Sequence, residues 1–215
     1  TYTYTVTDAN GCTSSTAITI TEPTALVASS SATAILCSGG TSIVTVSATG
    51  GVGPYVGPDT YEVLAGTHVY SVSDANGCST TTSITITQPD VLVPSYSAAP
   101  INCYGASTTV TVSAVGGTAP YTGTGSINQF AGTMNYTVSD FNGCTSILTV
   151  TLSQPMKVEG STSSVSTSCA GNDGSATVNA TGGTGIYTYL WSDGQTTQTA
   201  TNLASGTYSV TITDS

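Results

Sequence analysis

Hydrophobic and polar residues alternate one for one along most of this chain, which is the period of a β-strand with one buried face. In TYTYTVTD, Tyr2, Tyr4 and Val6 share one face, while Thr1, Thr3, Thr5 and Thr7 share the other. The same inward slots hold His68, Tyr70 and Val72 further along, and then Met134, Tyr136 and Val138. Ile18 and Ile20 recur as Ile84 and Ile86, then as Val150 and Leu152; Val44, Val46 and Ala48 recur as Val110, Val112 and Ala114, then as Ala176, Val178 and Ala180. Clusters of Gly, Pro, Asn and Asp separate these runs, and no stretch carries a helical period with caps. The pattern predicts short antiparallel strands joined by turns. Asn-Gly at 10–11, 76–77 and 142–143 predicts tight hairpins in which both central residues take positive φ.

The strands fall in a repeat. Cys12, Cys78 and Cys144 are 66 residues apart, as are Cys37, Cys103 and Cys169, and Gly50, Gly116 and Gly182 keep the same step. So do Pro23, Pro89 and Pro155, in the strings TEP, TQP and SQP, where a proline suits a linker and not a central strand. Boundaries at these prolines give complete modules at 24–89 and 90–155. Residues 1–23 then read as the C-terminal part of a preceding module, and 156–215 as a module cut short at its C-terminal end. The last carries an eight-residue insertion, because Gly66 to Gly132 is 66 residues but Gly132 to Gly206 is 74. The expected fold is all-β, a tandem array of immunoglobulin-like antiparallel β-sandwich modules with a 66-residue repeat.

Composition narrows the partners. One Lys, no Arg and a net charge of −10 leave nothing to displace counterions from a phosphate backbone, or to meet an anionic lipid surface. Neither nucleic acid nor direct membrane insertion is expected, since no apolar run nears the roughly 20 residues a span requires. Catalysis is not expected either, and no cofactor is called for. His68 is the one imidazole and occupies a core slot, so no nucleophile has a base beside it. The chain should therefore not be an enzyme.

The pattern C-x-G-G, then VTVSATGG-x-G-PY, then GT-x-x-Y-x-V-x-DANGC, then ITIT-[EQ]-P-x-x-L resembles the SprB-type repeat of very large surface adhesins in Bacteroidetes. YTYLWSDGQTTQ followed by GTYSVTITD is also similar to polycystic-kidney-disease (PKD) type modules, themselves immunoglobulin-like. The resemblance implies export to the cell surface or a secreted filament, a role in cell adhesion, and no catalysis. The expected function is a non-catalytic extracellular array forming an adhesin stalk or filament, with neighbouring copies of the repeat as partners. An array of carbohydrate-binding modules is the alternative, with surface glycans as ligands.

The cysteines of such a secreted chain read as disulfides. One scheme, the favoured one, closes Cys37–Cys78 and Cys103–Cys144 inside modules and leaves Cys12 and Cys169 to partners outside the segment. It assumes an even number of strands between the two cysteines, which would bring both to one end. The other scheme joins Cys12–Cys37, Cys78–Cys103 and Cys144–Cys169 across the prolines. Closing a loop of about 40 residues is worth on the order of 3–4 kcal/mol.

Four further candidates follow from residue type. Asp173 and Asp193, in the strings Asn172-Asp173-Gly174 and Asp193-Gly194, are weak calcium candidates, and Asp8, Asp74 and Asp140 before Asn-Gly are weaker ones. Asn135 and Asn179 head N-glycosylation triplets and make the chain a candidate glycoprotein. Trp191, the sole tryptophan, is the candidate glycan contact. Tyr55, Tyr121 and Tyr187 recur after Gly-Gly and read as core side chains with stacking on sugars as the alternative.

Overall fold

The structure, a computed structural model, describes residues 1–169 and 171–214; Ser215, the last residue of the third expected module, lies outside them. Every regular element among the described residues is a strand, and every strand pair is antiparallel. The chain divides into two compact units, one covering Thr1–Val91 and the other beginning at Leu92.

The first unit opens with β1 (Tyr2–Thr7) and β2 (Thr13–Ile18), which pair only with each other. A sandwich follows, built from β3 (Val27–Ala32), β4 (Ser42–Thr49), β5 (Thr60–Val63), β6 (Gly66–Ser73) and β7 (Ser79–Ile86). Its sheets are β3-β4-β5 and β6-β7. The alternation seen in sequence decides what lies between them: Val44 and Val46 of β4 meet Val72 of β6 and Ile86 of β7, with Ile35 closing one end. The sandwich has five strands, fewer than the seven of an immunoglobulin constant-type domain.

The second unit repeats this plan. Strands β8 (Val93–Ala98), β9 (Ser107–Val115) and β10 (Gly125–Phe130) form one sheet, and β11 (Gly132–Ser139) and β12 (Thr145–Leu152) the other. Leu92, Val110, Val112, Val138 and Val150 make their shared core. Strands β13 (Met156–Val165), β14 (Gly174–Gly183), β15 (Tyr187–Trp191), β16 (Thr199–Leu203) and β17 (Val210–Asp214) then enclose a separate core of Val178, Trp191, Ala200 and Leu203. The eight-residue insertion has a visible consequence here. In the two preceding sandwiches the segment after the Gly-Gly pair touches the second sheet through a single bridge, Val56↔Ser73 or Thr122↔Ser139. The longer segment instead forms the whole strand β15, paired with β17 from Tyr187↔Asp214 to Trp191↔Val210.

One core position distinguishes two sandwiches of otherwise similar sequence. The Tyr136 hydroxyl donates to Oε1 of the buried Gln129 at 2.6 Å. Val63 stands 66 residues before Gln129, and the equivalent Tyr70 hydroxyl is buried without a hydrogen-bond partner. An unpaired buried hydroxyl costs its desolvation without return, whereas removing one member of a buried pair strands the other. Tyr70→Phe should therefore leave stability unchanged or raise it slightly, while Tyr136→Phe should lower it by about 1–3 kcal/mol. Chemical denaturation of both variants checks this, and equal losses would contradict it.

Candidate functional site

The residues with the most chemistry gather at the two poles of each sandwich. At one pole lies the D-x-N-G-C hairpin. Asp74 Oδ1 accepts from the backbone N–H groups of Asn76 (3.0 Å) and Cys78 (2.9 Å), and its Oδ2 accepts from Val52 N–H (3.0 Å) in the loop after Gly50-Gly51. Asp140 repeats the arrangement with Cys144 N–H (2.8 Å) and Thr118 N–H (2.9 Å). Asp214 receives Thr184 N–H (2.8 Å) and the Thr184 hydroxyl (2.7 Å). Asp74 and Asp140 clamp their turns to the Gly-Gly loop and are buried in doing so, at 7% and 5% exposure, and Asp214 holds the Gly-Gly loop from the end of β17.

The turn differs from the expected one. Gly11, Gly77 and Gly143 have positive φ, but the asparagines before them do not. Gly77 N–H donates to Asp74 carbonyl (3.0 Å) and Asp74 N–H to Cys78 carbonyl (2.9 Å). This is a three-residue loop with a bulged glycine, and not a two-residue turn with two left-handed residues. The Asp carboxylate, by satisfying N–H groups inside the loop, makes the longer turn favourable.

The Gly-Gly pair is dictated from both sides. Gly50 has φ of 73°, and a Cβ there would stand 2.0 Å from the Ala25 carbonyl oxygen. A Cβ on Gly51 would stand 2.6 Å from Oδ2 of Asp74. The Gly50 carbonyl accepts from the Tyr55 hydroxyl at 2.6 Å and that of Gly116 from Tyr121 at 2.7 Å; Tyr187 bonds Gly182 in the same way. These tyrosines tie a loop together, but not as the fully buried core side chains expected: Tyr55 is 37% exposed, and Tyr121 and Tyr187 are half-buried.

The other pole carries the Cys37 and Cys103 loops. Gly40 N–H donates to the Cys37 carbonyl (3.0 Å), and Ala106 N–H to that of Cys103 (3.2 Å). The side chain of Gln88, just beyond β7, accepts from Gly39 N–H at 2.8 Å, and Gln154 accepts from Gly105 N–H at 2.9 Å. The residue before the linker proline is thus a latch on the cysteine loop, a role that linker chemistry alone did not reveal. Its signal was present in the recurrence of Glu22, Gln88 and Gln154.

This polar placement corrects the cysteine geometry. Three strands, β4, β5 and β6, separate Cys37 from Cys78, an odd count, so the two lie at opposite poles. Cys37 and Cys144 are disulfide-bonded, whereas Cys12, Cys78, Cys103 and Cys169 are exposed free thiols. The pairs Cys37–Cys78 and Cys103–Cys144 are not formed, and the joins Cys12–Cys37, Cys78–Cys103 and Cys144–Cys169 are not formed either. A disulfide requires Cα atoms within about 7 Å, while the eight residues of β7 alone span roughly 25 Å.

Trp191 is likewise corrected. It is 3% exposed within the third core, and its indole N–H donates to the Thr197 carbonyl at 2.8 Å, so no ring face is open to a sugar. A large apolar ring with its one donor satisfied is a core side chain. His68 is half-buried with a ring nitrogen 3.0 Å from the Leu64 carbonyl, and the Tyr208 hydroxyl donates to the Ala204 carbonyl (3.3 Å) from the matching slot.

The calcium candidates are engaged within their own loops. Oδ1 of Asp173 accepts from Ser168 N–H (2.7 Å) and the Thr167 hydroxyl (2.8 Å); Oδ2 of Asp193 accepts from the Gln195 side chain (2.7 Å). No group of three or more His, Cys, Asp or Glu placed to hold a metal occurs among the described residues. Asn135 and Asn179 are exposed on β11 and β14, their side-chain oxygens accepting from Thr149 (2.8 Å) and Gln198 (3.3 Å).

The clamps make stability depend on acid. The Ser168 N–H holds the Asp173 carboxyl down at about 2. The Val52 N–H lowers the Asp74 carboxyl below its ordinary value, and the Thr184 hydroxyl lowers that of Asp214. For Asp140, burial pushes upward but is outweighed by the Thr118 and Cys144 N–H groups. A carboxyl held lower in the folded state contributes stability above its unfolded pKa and loses it as pH falls through the folded one. The thermal midpoint should be level above about pH 5 and fall between about pH 4 and 2. Circular dichroism melts across that range test this, and a midpoint indifferent to acid would contradict it.

No curated protein matches the chain. Residues 161–196, which run from β13 through the third Gly-Gly loop to the turn after Trp191, match the family model described as SprB repeat, the same family that the chain's motifs resemble.

Proposed function

We propose that the chain is a non-catalytic extracellular array whose β-sandwich modules form the stalk or filament of a surface adhesin. The observation that carries this reading is the use of the recurrent polar residues. The Asp clamp, the Gly-Gly-Tyr tie and the Gln latch recur from sandwich to sandwich, and each holds loops to strands. A chain whose recurrent polar residues are spent on loop closure, and whose sequence is rich in Thr and Ser, suits a spacer. The SprB match at 161–196 favours the same class.

Residues 1–23 are read as the C-terminal part of a further module. Val6 is 71% exposed where its counterpart Val72 is 0%, because no three-stranded sheet faces β1–β2 among the described residues. The modules work with neighbouring copies as partners, at the cell surface. Asn135 and Asn179 are accessible for sugar attachment, and an intact mass equal to that of the bare polypeptide would rule that out.

Electron microscopy of native material tests the function. A module spans very roughly 30 Å, from strands of about eight residues at 3.3 Å each. Filaments or tethers rooted at the cell surface and labelled by an antibody to this segment are expected. Label confined to the cell interior would overturn the reading.

A further inference from the structure

The D-x-N-G turns hold two groups able to react with each other. An asparagine followed by glycine presents its amide carbonyl to the next backbone nitrogen, and the glycine has no Cβ to stand in the way. In the sandwiches of 24–89 and 90–155 these pairs are Asn76-Gly77 and Asn142-Gly143. Their backbones are alike. Gly77 N–H donates to the Asp74 carbonyl at 3.0 Å, and Gly143 N–H to that of Asp140 at 3.1 Å. Both glycines are exposed at positive φ, with nothing within 4 Å of where a Cβ would stand. The side chains differ. Ala75 N–H donates to the Val52 carbonyl and Phe141 N–H to that of Thr118, each at 2.8 Å, so each turn leans on one residue of its Gly-Gly loop. The Thr118 hydroxyl oxygen accepts from Asn142 Nδ2 at 3.0 Å, and Asn142 is half-buried. Val52 has no hydroxyl to offer. Asn76 is exposed, and no group among the described residues hydrogen-bonds its side chain.

We propose that Asn76 is a site of spontaneous modification, closing to a cyclic imide that opens to aspartate or isoaspartate, and that the Thr118 hydroxyl restrains the same reaction at Asn142. The inference goes beyond the stalk reading and does not depend on it. The Gly77 nitrogen attacks the side-chain carbonyl carbon of Asn76. A C–N bond forms there, the bond to the amide nitrogen breaks, and ammonia leaves with the Gly77 amide proton. Water then adds to one imide carbonyl and opens the ring to a carboxylate. Attack requires the amide to rotate toward the backbone and the bond from Gly77 to Asp74 to open locally. Asn142 must give up its bond to Thr118 as well, and that bond favours the unreacted state. The product places a second carboxylate two residues from the buried Asp74, where like charges repel. In isoaspartate the turn also gains one backbone carbon.

The test incubates the whole chain in mildly alkaline buffer, folded and in denaturant, and follows each turn by chymotryptic peptide mapping with mass spectrometry. In the folded chain Asn76 should convert up to about tenfold faster than Asn142, the factor that one net hydrogen bond supplies. In denaturant the two should convert at closely similar rates, because the structure that separates them is gone. Two variants exchange the restraint: T118V should speed conversion at Asn142, and V52T should slow it at Asn76. Val52 is exposed and Thr118 half-buried, so both variants should keep the wild-type circular dichroism spectrum. Equal rates at the two sites in the folded chain would overturn the proposal. So would a difference that persists in denaturant, which would place its cause in the preceding Ala75 and Phe141. Rates unmoved in variants that keep the wild-type spectrum would overturn it as well.

Discussion

Trp191→Ala should destabilise the third sandwich by about 4 kcal/mol, within the range for removing a large buried aromatic. The ring is almost wholly enclosed by the residues of one core: Val178, Ala200 and Leu203 are buried with it, and Tyr189, Tyr208, Val210 and Ile212 pack around them. Truncation leaves a cavity and strands the Thr197 carbonyl that the indole N–H satisfies. That loss is comparable with the whole stability of many small domains, so β13–β17 should unfold or nearly so. The neighbouring core of Leu92, Val110, Val112, Val138 and Val150 contains no residue of these strands, and it should survive, as repeat units behave almost independently. Hydrogen-exchange mass spectrometry reads the two cores separately. Protection should vanish in peptides from 156–214 and persist in those from 93–152. Collapse of both together would show coupling that the separate cores do not explain. Retained protection throughout would show that Trp191 is not a core residue.

Gly50→Ala is expected to have the second largest effect, about 3 kcal/mol, at the upper end of what a strained backbone position costs. Two penalties act together. Alanine at a φ of 73° is strained by itself. Its Cβ would also press to 2.0 Å from the carbonyl oxygen of Ala25, which is backbone and cannot rotate away. Relief requires the Gly-Gly loop to move, and the loop carries the Tyr55 tie and the Val52 N–H that Asp74 accepts. Gly53→Ala is the control in the same loop, with negative φ and nothing within 4 Å of its Cβ. It should change the denaturation midpoint by only a few tenths of a kcal/mol, in line with surface substitutions generally. Equal effects at the two positions would mean that the close approach to Ala25 is not what fixes the glycine.

The alternation of Val44, Val46 and Ala48, of Tyr70 and Val72, and of Ile84 and Ile86 made strands and their inward faces legible. A strand's side chains have a period of two, whatever the fold around them. The recurrence of those slots, with Gly-Gly, D-x-N-G-C and [EQ]-P, likewise gave the modular plan and the resemblance to the SprB repeat. Local sequence sufficed because each of these features is set by neighbours a few residues away.

Which faces are buried, and which cysteines can meet, came only with the tertiary structure. Val6 and Val72 share a slot in the pattern yet differ from 71% to 0% exposure, since burial depends on whether a second sheet lies opposite. Trp191 was the candidate glycan contact and proved to be core, because β15 pairs with β17 and sets the ring among Val178, Ala200 and Leu203. The cysteine expectation failed on a parity: three strands, not an even number, separate Cys37 from Cys78. Sequence spacing measures distance along the chain, and in an antiparallel sandwich each added strand reverses direction. A count wrong by one therefore moves a residue the full length of the module.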